Sequence, residues 1–409
     1  TRWQLHKTNI IGVLGIIGLA IIVTFTGMVI APNEPVPVAK VGEFTAVDYS
    51  NQAQEYYYRF KPDDNFTAID LYQKAIETDP NFSYAYAGLA NAHAQAYYQY
   101  GQGEDTLQQA IKQSNRAIEI APNQAWGYKS LGLAHHLNGH FNEAILAYDK
   151  AIERAPWWPS PVNNSAFVHQ EAGRLIEAYQ QVLTAIKMDT KDPIPYLFQG
   201  LVYRDLGMTA HALKAINRSI ELKPDYLLGK NYLAEYYLAV GEHQKALALV
   251  EKTVARTPKN QFAHWLNAQI QLQLGDKAKA IKHFTQAAAL GGRHQLIAQI
   301  YLAVLRQDHP EQQHLQLAER TNSTIAQGNQ WPELIYAQGL LALVNQDYDK
   351  AMVSFDQAVD AGLRAFYLRG NAILPIELIE LPAFKILVLK QTAKLTQARQ
   401  QVMILEQAR

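Results

Sequence analysis

Residues 125–156 read AWGYKSLGLAHHLNGHFNEAILAYDKAIERAP, and this pattern returns about every 34 residues along most of the chain. Two stretches of helical periodicity flank one turn, Asn138-Gly139-His140. Large and small apolar residues keep fixed offsets: Tyr128, Leu131 and Gly132, then Ala144, Tyr148 and Ala151, and a closing Pro156. A helix pair patterned in this way buries its apolar face by stacking on the next pair, so the architecture is a solenoid.

The same offsets recur as Ala68, Tyr72, Ala75 and Pro80, then as Tyr86, Leu89, Ala90, Ala110, Ala117 and Pro122. The second of these units holds an insertion of about eight residues around Tyr100-Gly101-Gln102-Gly103, which lengthens its hairpin. Later units carry Ala166, Gly173 and Ala178; Gly200, Tyr203, Gly207 and Ala212; Leu233, Ala234, Gly241 and Ala246; and Ala268, Gly275, Ala280 and Phe284. Residues 293–328 are degenerate but helical in pattern, and Gly339, Ala351, Phe355 and Ala358 mark a last clear unit. The whole resembles the tetratricopeptide repeat, a helix-turn-helix unit. The resemblance implies an all-α, right-handed superhelical solenoid of about eight to nine repeats over residues 45–361, with capping helices in 362–409.

The small residues have a packing role. Gly132, Gly200, Ala90, Ala234 and Ala268 sit where two helices cross, and a larger side chain there would cost about 1–3 kcal/mol by overpacking. Tyr72, Tyr148 and Phe284 fill the gap to the next unit, and the prolines end each second helix.

Ahead of the solenoid, Ile10 to Ile30 run 21 residues without a charge. As a helix they reach about 30 Å, one bilayer core. A cleavable signal peptide competes, but its apolar region is usually about 7–15 residues. The expectation is a cytoplasmic tail at 1–9, a transmembrane helix at 10–30 in contact with lipid, and a Pro-containing linker at 31–44. Arg2 and Lys7 before the span place the N-terminus inside by the positive-inside rule. The expected localisation is therefore a single-pass inner-membrane protein with a periplasmic solenoid.

Composition excludes several function classes. Basic and acidic residues balance at 37 each, so the field that nucleic-acid binding requires is missing, and these residues are expected to contact no nucleic acid. With no cysteine, thiolate metal sites and cysteine nucleophiles are excluded. No phosphate loop, nucleophile elbow or zinc-protease motif occurs. No catalytic residue, cofactor or metal is expected. His136 and His140 stand four apart, but the turn at Gly139 interrupts their helix.

The expected chemistry is recognition. In the tetratricopeptide fold the first helix of each pair lines a concave groove. Here that face offers Tyr84, Asn91, Trp126, Lys129, Leu133, His136, Asn163, Phe167, Leu197, Leu201, Arg204, Asn231, Phe262 and Trp265. Aromatic anchors with a few orienting polar groups suit a protein or peptide partner. His93, His135 and His169 occupy equivalent positions in three successive repeats and form a candidate pH-sensing ladder; the competing reading makes them half-buried packing residues. Trp157-Trp158-Pro159 is read as an inter-repeat packing wedge.

Residues 75–101 and 362–395 narrow the resemblance. They look like the sensory half of bacterial signalling proteins that join a winged-helix DNA-binding module, or an adenylate cyclase domain, to tetratricopeptide repeats. That resemblance implies a non-enzymatic partner-binding half of a transmembrane regulator whose effector domain is missing from these residues. It is compatible with a homodimer. A structural scaffold for an envelope protein complex is the alternative, and the repeat half of a cyclase-type regulator is another.

Overall fold

A computed structural model describes residues 44–409, except 60, 307–310, 369–371 and 408–409. The described residues contain twenty α-helices and no strand. Consecutive helices pair as antiparallel hairpins: α1 Ala46–Tyr57 with α2 Pro62–Thr78, α3 Ser83–Tyr100 with α4 Glu104–Ile120, and α5 Ala125–Leu137 with α6 Phe141–Arg154. Next come α7 Pro159–Glu171 with α8 Leu175–Met188, α9 Pro193–Asp205 with α10 Thr209–Leu222, and α11 Leu227–Ala239 with α12 His243–Arg256. Then follow α13 Gln261–Gln273 with α14 Lys277–Ala289, α15 Gln295–Arg306 with α16 Glu311–Ala326, and α17 Pro332–Val344 with α18 Tyr348–Asp360. A short α19 Ile376–Ile379 leads into the long α20 Pro382–Gln407.

The size pattern read from the sequence sets the crossings. A Cβ on Gly132 would lie 2.6 Å from the Tyr148 ring, and one on Gly339 would lie 2.5 Å from Phe355. Tyr148, Phe284 and Phe355 are fully buried against these small residues. The insertion near Gly101 is taken up by lengthening both helices of its hairpin, α3 to 18 residues and α4 to 17.

The solenoid closes on itself. Gln330 N–H donates to the Gly139 carbonyl at 2.8 Å, and Asn329 Nδ2 donates to the Asn138 carbonyl at 2.9 Å. Arg399 Nε donates to the Leu206 carbonyl at 2.7 Å, and Glu406 accepts from Tyr203. The bonds Asn142–Gln330, Asn329–Asn138 and Arg399–Leu206 join residues 188 to 193 apart in sequence. At about 34 residues per repeat this is roughly five to six repeats. Along the same seam a Cβ on Gly173 would lie 2.4 Å from Gly362 Cα, whereas Gly241 and Gly275, in equivalent turns, have nothing within 4 Å. The helix α20 is thus more than a terminal cap, since it runs back onto the middle repeats.

One expectation is corrected. Among the described residues no helix is long and apolar enough to cross a membrane, and this overturns the single-pass inner-membrane localisation with a periplasmic solenoid. The segment 10–30 to which the span and its lipid contact were assigned, with the tail and linker on either side, lies outside the described residues.

Candidate functional site

Closure divides the predicted groove in two. Its centre is filled by the chain's own later repeats. His136, Asn163, Leu197, Leu201, Arg204, Asn231 and Trp265 are all buried, so as the chain stands they face its interior rather than an open groove. Phe167 stacks on Phe198 with centroids 4.8 Å apart, and Phe262 stacks on His294 at 5.7 Å. Trp265 covers the other side of His294 at 5.4 Å. These rings form an internal aromatic column.

Beside the column lies a buried ion lattice. Glu171 accepts from His136 Nε2 at 2.6 Å and pairs with Arg293 at 2.6 Å. Arg364 bridges Glu235 and Glu333 at 2.6 Å each, and Arg204 pairs with Glu235 and, at 2.8 Å, with Asp205. The lattice therefore ties α5, α7, α9 and α11 to the start of α15, to α17 and to the segment after α18. Burial pushes the Glu171 carboxyl up, but Arg293 and the His136 hydrogen bond outweigh it and hold it at about 2. Glu235 is likewise lowered against the effect of burial, by Arg364 and Arg204. A cavity of about 30 Å³ lies beside Tyr98, His294 and Tyr367, on the scale of ordered water. Every arginine here is engaged by a carboxylate, so the lattice serves register and closure.

Five predicted residues stay together at the N-terminal part of the groove. Tyr84 and Trp126 meet edge to face at 5.5 Å, and Gln54 Nε2 donates to the Tyr84 hydroxyl at 2.8 Å. Lys129 Nζ donates to Asn91 Oδ1 at 3.1 Å, with Leu133 one helical turn further on in α5. All five are partly exposed. Burial lowers the Lys129 ammonium to about 8, and no ion pair offsets this among the described residues. The Trp157-Trp158 step splits: Trp158 packs edge-on against Trp126 at 5.6 Å, while Trp157 is 70% exposed and no packing wedge.

Sequence reasoning missed Glu171, Glu235, Arg293 and Arg364, and it read Trp158 as packing without placing it beside Trp126. Glu235 had left a trace, as a lone carboxylate inside the apolar run YLAEYYLA. Its partner Arg364 is 129 residues away, and no periodicity connects the two.

The histidine ladder is placed as expected in α3, α5 and α7. Burial lowers His93, His135 and His169 below their ordinary value, with His140 assisting at His135 and Arg174 at His169. Burial also lowers His283 to about 4, and lowers His294 well below its ordinary value. The unfolded chain therefore takes up these protons first. Stability is full above about pH 6.5 and is lost as pH falls below it. We expect the Tm to drop by several degrees between pH 7 and 5, followed by differential scanning fluorimetry. Replacing His93, His135 and His169 by Gln should flatten that drop; superimposable profiles would remove the ladder from any pH response.

Comparison with known proteins agrees with this fold. Residues 233–295, and residues 128–156 and 195–226, match family models described as tetratricopeptide repeat. Anaphase-promoting complex subunit 3 of Schizosaccharomyces pombe is 26% identical over 223 residues, 54% of this chain and 32% of that protein. Small glutamine-rich tetratricopeptide repeat-containing protein 2 of Saccharomyces cerevisiae is 35% identical over 86 residues, 21% of this chain and 22% of that protein. The chain thus spans about a third or less of these curated relatives. Among solved structures, the human IFIT1 dimer with m7Gppp-AAAA has a TM-score of 0.52 at 15% identity, covering 78% of this chain and 72% of that one; identity this low shows the fold alone. Three stretches of the chain thus match the tetratricopeptide repeat, and the described residues as a whole form an all-α solenoid of stacked helix pairs.

Proposed function

We propose that the chain is a non-enzymatic recognition module that binds a protein or peptide partner at the N-terminal part of its groove. The contact residues are Tyr84, Asn91, Trp126, Lys129 and Leu133, extended by Trp158. The observation that carries this reading is Lys129. A largely desolvated ammonium oriented by Asn91 and lacking an ion pair among the described residues costs stability and suits a partner's carboxylate. The rings supply rigid anchoring area.

The test separates binding from folding. Because burial depresses the Lys129 ammonium, Lys129→Met should raise stability by roughly 1 kcal/mol, after allowance for the hydrated part of the side chain. The same substitution, and Trp126→Ala, should abolish capture of partners by the immobilised chain. If both variants retain every protein captured by the wild type, the site lies elsewhere. A scaffold role within a larger assembly is the second reading, supported by the match to a subunit of a multi-protein complex. The sensory-half reading rests on the likeness of residues 75–101 and 362–395, and no feature of the described fold adds to it.

A further inference from the structure

One helix pair breaks the size rule that builds the others. At the crossing position of the first helix stand Gly132, Ala166, Gly200, Ala234, Ala268 and Gly339; in α15 the equivalent is Leu302. On the second helix the facing small residues are Ala144, Ala178, Ala212, Ala246, Ala280 and Ala351; in α16 the equivalent is His314. One turn later, where Tyr148, Ile216, Phe284 and Phe355 fill the space between helices, α16 carries Ala318. Of these positions Leu302 lines the space between the two helices, facing Gln313, Gln316, Leu317 and Arg320 of α16. That space is a cleft of about 340 Å³ between α15 and α16, a volume within the range of ligand pockets.

We propose that this cleft binds an extended acidic-apolar peptide segment of a partner, separately from the N-terminal groove. Leu302 and Leu317 give it an apolar floor. Gln299, Gln313 and Gln316 line it with amides, which can both donate to and accept from a peptide main chain. Among the described residues the charged groups lining the cleft are Arg306 and Arg320, with no carboxylate beside them. Arg306 donates to the Thr285 hydroxyl at 3.0 Å. Arg320 reaches Gln299 at 3.3 Å and Glu104 at 3.3 Å, but the two ion-pair side chains are 43% and 77% exposed, so that pair is weak and yields to a ligand.

Spacing narrows the ligand. Arg320 lies beside Gln299, and the rise of α15 from Gln299 to Arg306 is about 10 Å. An extended chain covers that distance in about three residues. Alternate side chains of an extended chain face one way, so the favoured segment carries two carboxylates four residues apart, about 13 Å, with a leucine-like residue midway between them on the same face.

Fluorescence anisotropy tests this with the full chain and a labelled octapeptide carrying two glutamates four residues apart around a central leucine. Saturable binding is expected at low salt. Arg306→Gln with Arg320→Gln should weaken it at least tenfold, and Leu317→Glu should do the same by placing a carboxylate on the floor. Arg306 and Arg320 are exposed, whereas Leu317 is partly buried against the core, so the arginine pair carries the test and an unchanged melting temperature is required before the Leu317 variant is read. Lys129→Met should leave this binding unaltered, which keeps the result independent of the N-terminal site. The proposal is overturned by no saturation up to millimolar peptide, by equal binding of the peptide with glutamines for glutamates, or by affinity within twofold in the arginine double variant.

Discussion

Glu235→Ala is expected to destabilise the protein by about 3–5 kcal/mol, the usual cost of removing one partner from a buried ion pair. The carboxylate accepts from Arg204 and Arg364 at once, and its side chain is only 5% exposed. Truncation leaves two guanidiniums in the interior with part of their compensation gone. Arg204 would keep Asp205 and Arg364 would keep Glu333, so the loss should fall short of unfolding the chain outright. Urea unfolding followed by circular dichroism reads the midpoint. A midpoint shift worth less than about 1 kcal/mol would show that the lattice does not bind the early repeats to the late ones. Acid should act on the same lattice at lower pH than on the histidines. Glu171 and Glu235 are held below their ordinary range, so their contribution is complete above about pH 4.5 and is lost as pH falls toward 2.

The second large effect is expected at Gly173, judged against Gly241. Both glycines end the first helix of their pair in the left-handed region, at φ +67° and +82°. Alanine at either position pays about 1–2 kcal/mol for that backbone conformation. Only at Gly173 does a Cβ meet another part of the solenoid, 2.4 Å from Gly362 Cα. The clash falls on backbone, which cannot swing aside, so Gly173→Ala should cost a further 1–3 kcal/mol or so. It should also part the seam, and small-angle scattering should report a larger radius of gyration. Gly241→Ala should leave the radius unchanged. Equal effects of the two substitutions on stability and radius would mean that the seam does not hold the superhelix closed. Open solenoids unfold in pieces because each repeat touches only its neighbours. A chain with contacts some 190 residues apart, as between Asn138 and Asn329, should instead unfold with coupled early and late repeats.

What the sequence determined by itself is the repeat. Gly132 was legible as a crossing position because a helix crossing depends on residue size at a local spacing, whereas Tyr148, expected to fill the gap to the next unit, packs on Gly132 within its own pair. The odd pair α15–α16 was legible in part for the same reason: residues 293–328 stood out as degenerate, although only the separated helices gave that degeneracy a shape. Closure was not legible. Each repeat adds a small rotation, and five to six such rotations bring Gly173 against Gly362. No single residue encodes that sum. The groove residues were chosen from a local face, and tertiary structure then sorted them. Arg204 and Trp265 went into the interior, Arg204 beside the Glu235–Arg364 pair and Trp265 against His294 and Tyr301, while Tyr84, Trp126 and Lys129 stayed partly exposed in the early repeats. Whether a concave side chain meets a partner or meets its own chain is decided by accumulated superhelical geometry, which local periodicity does not carry.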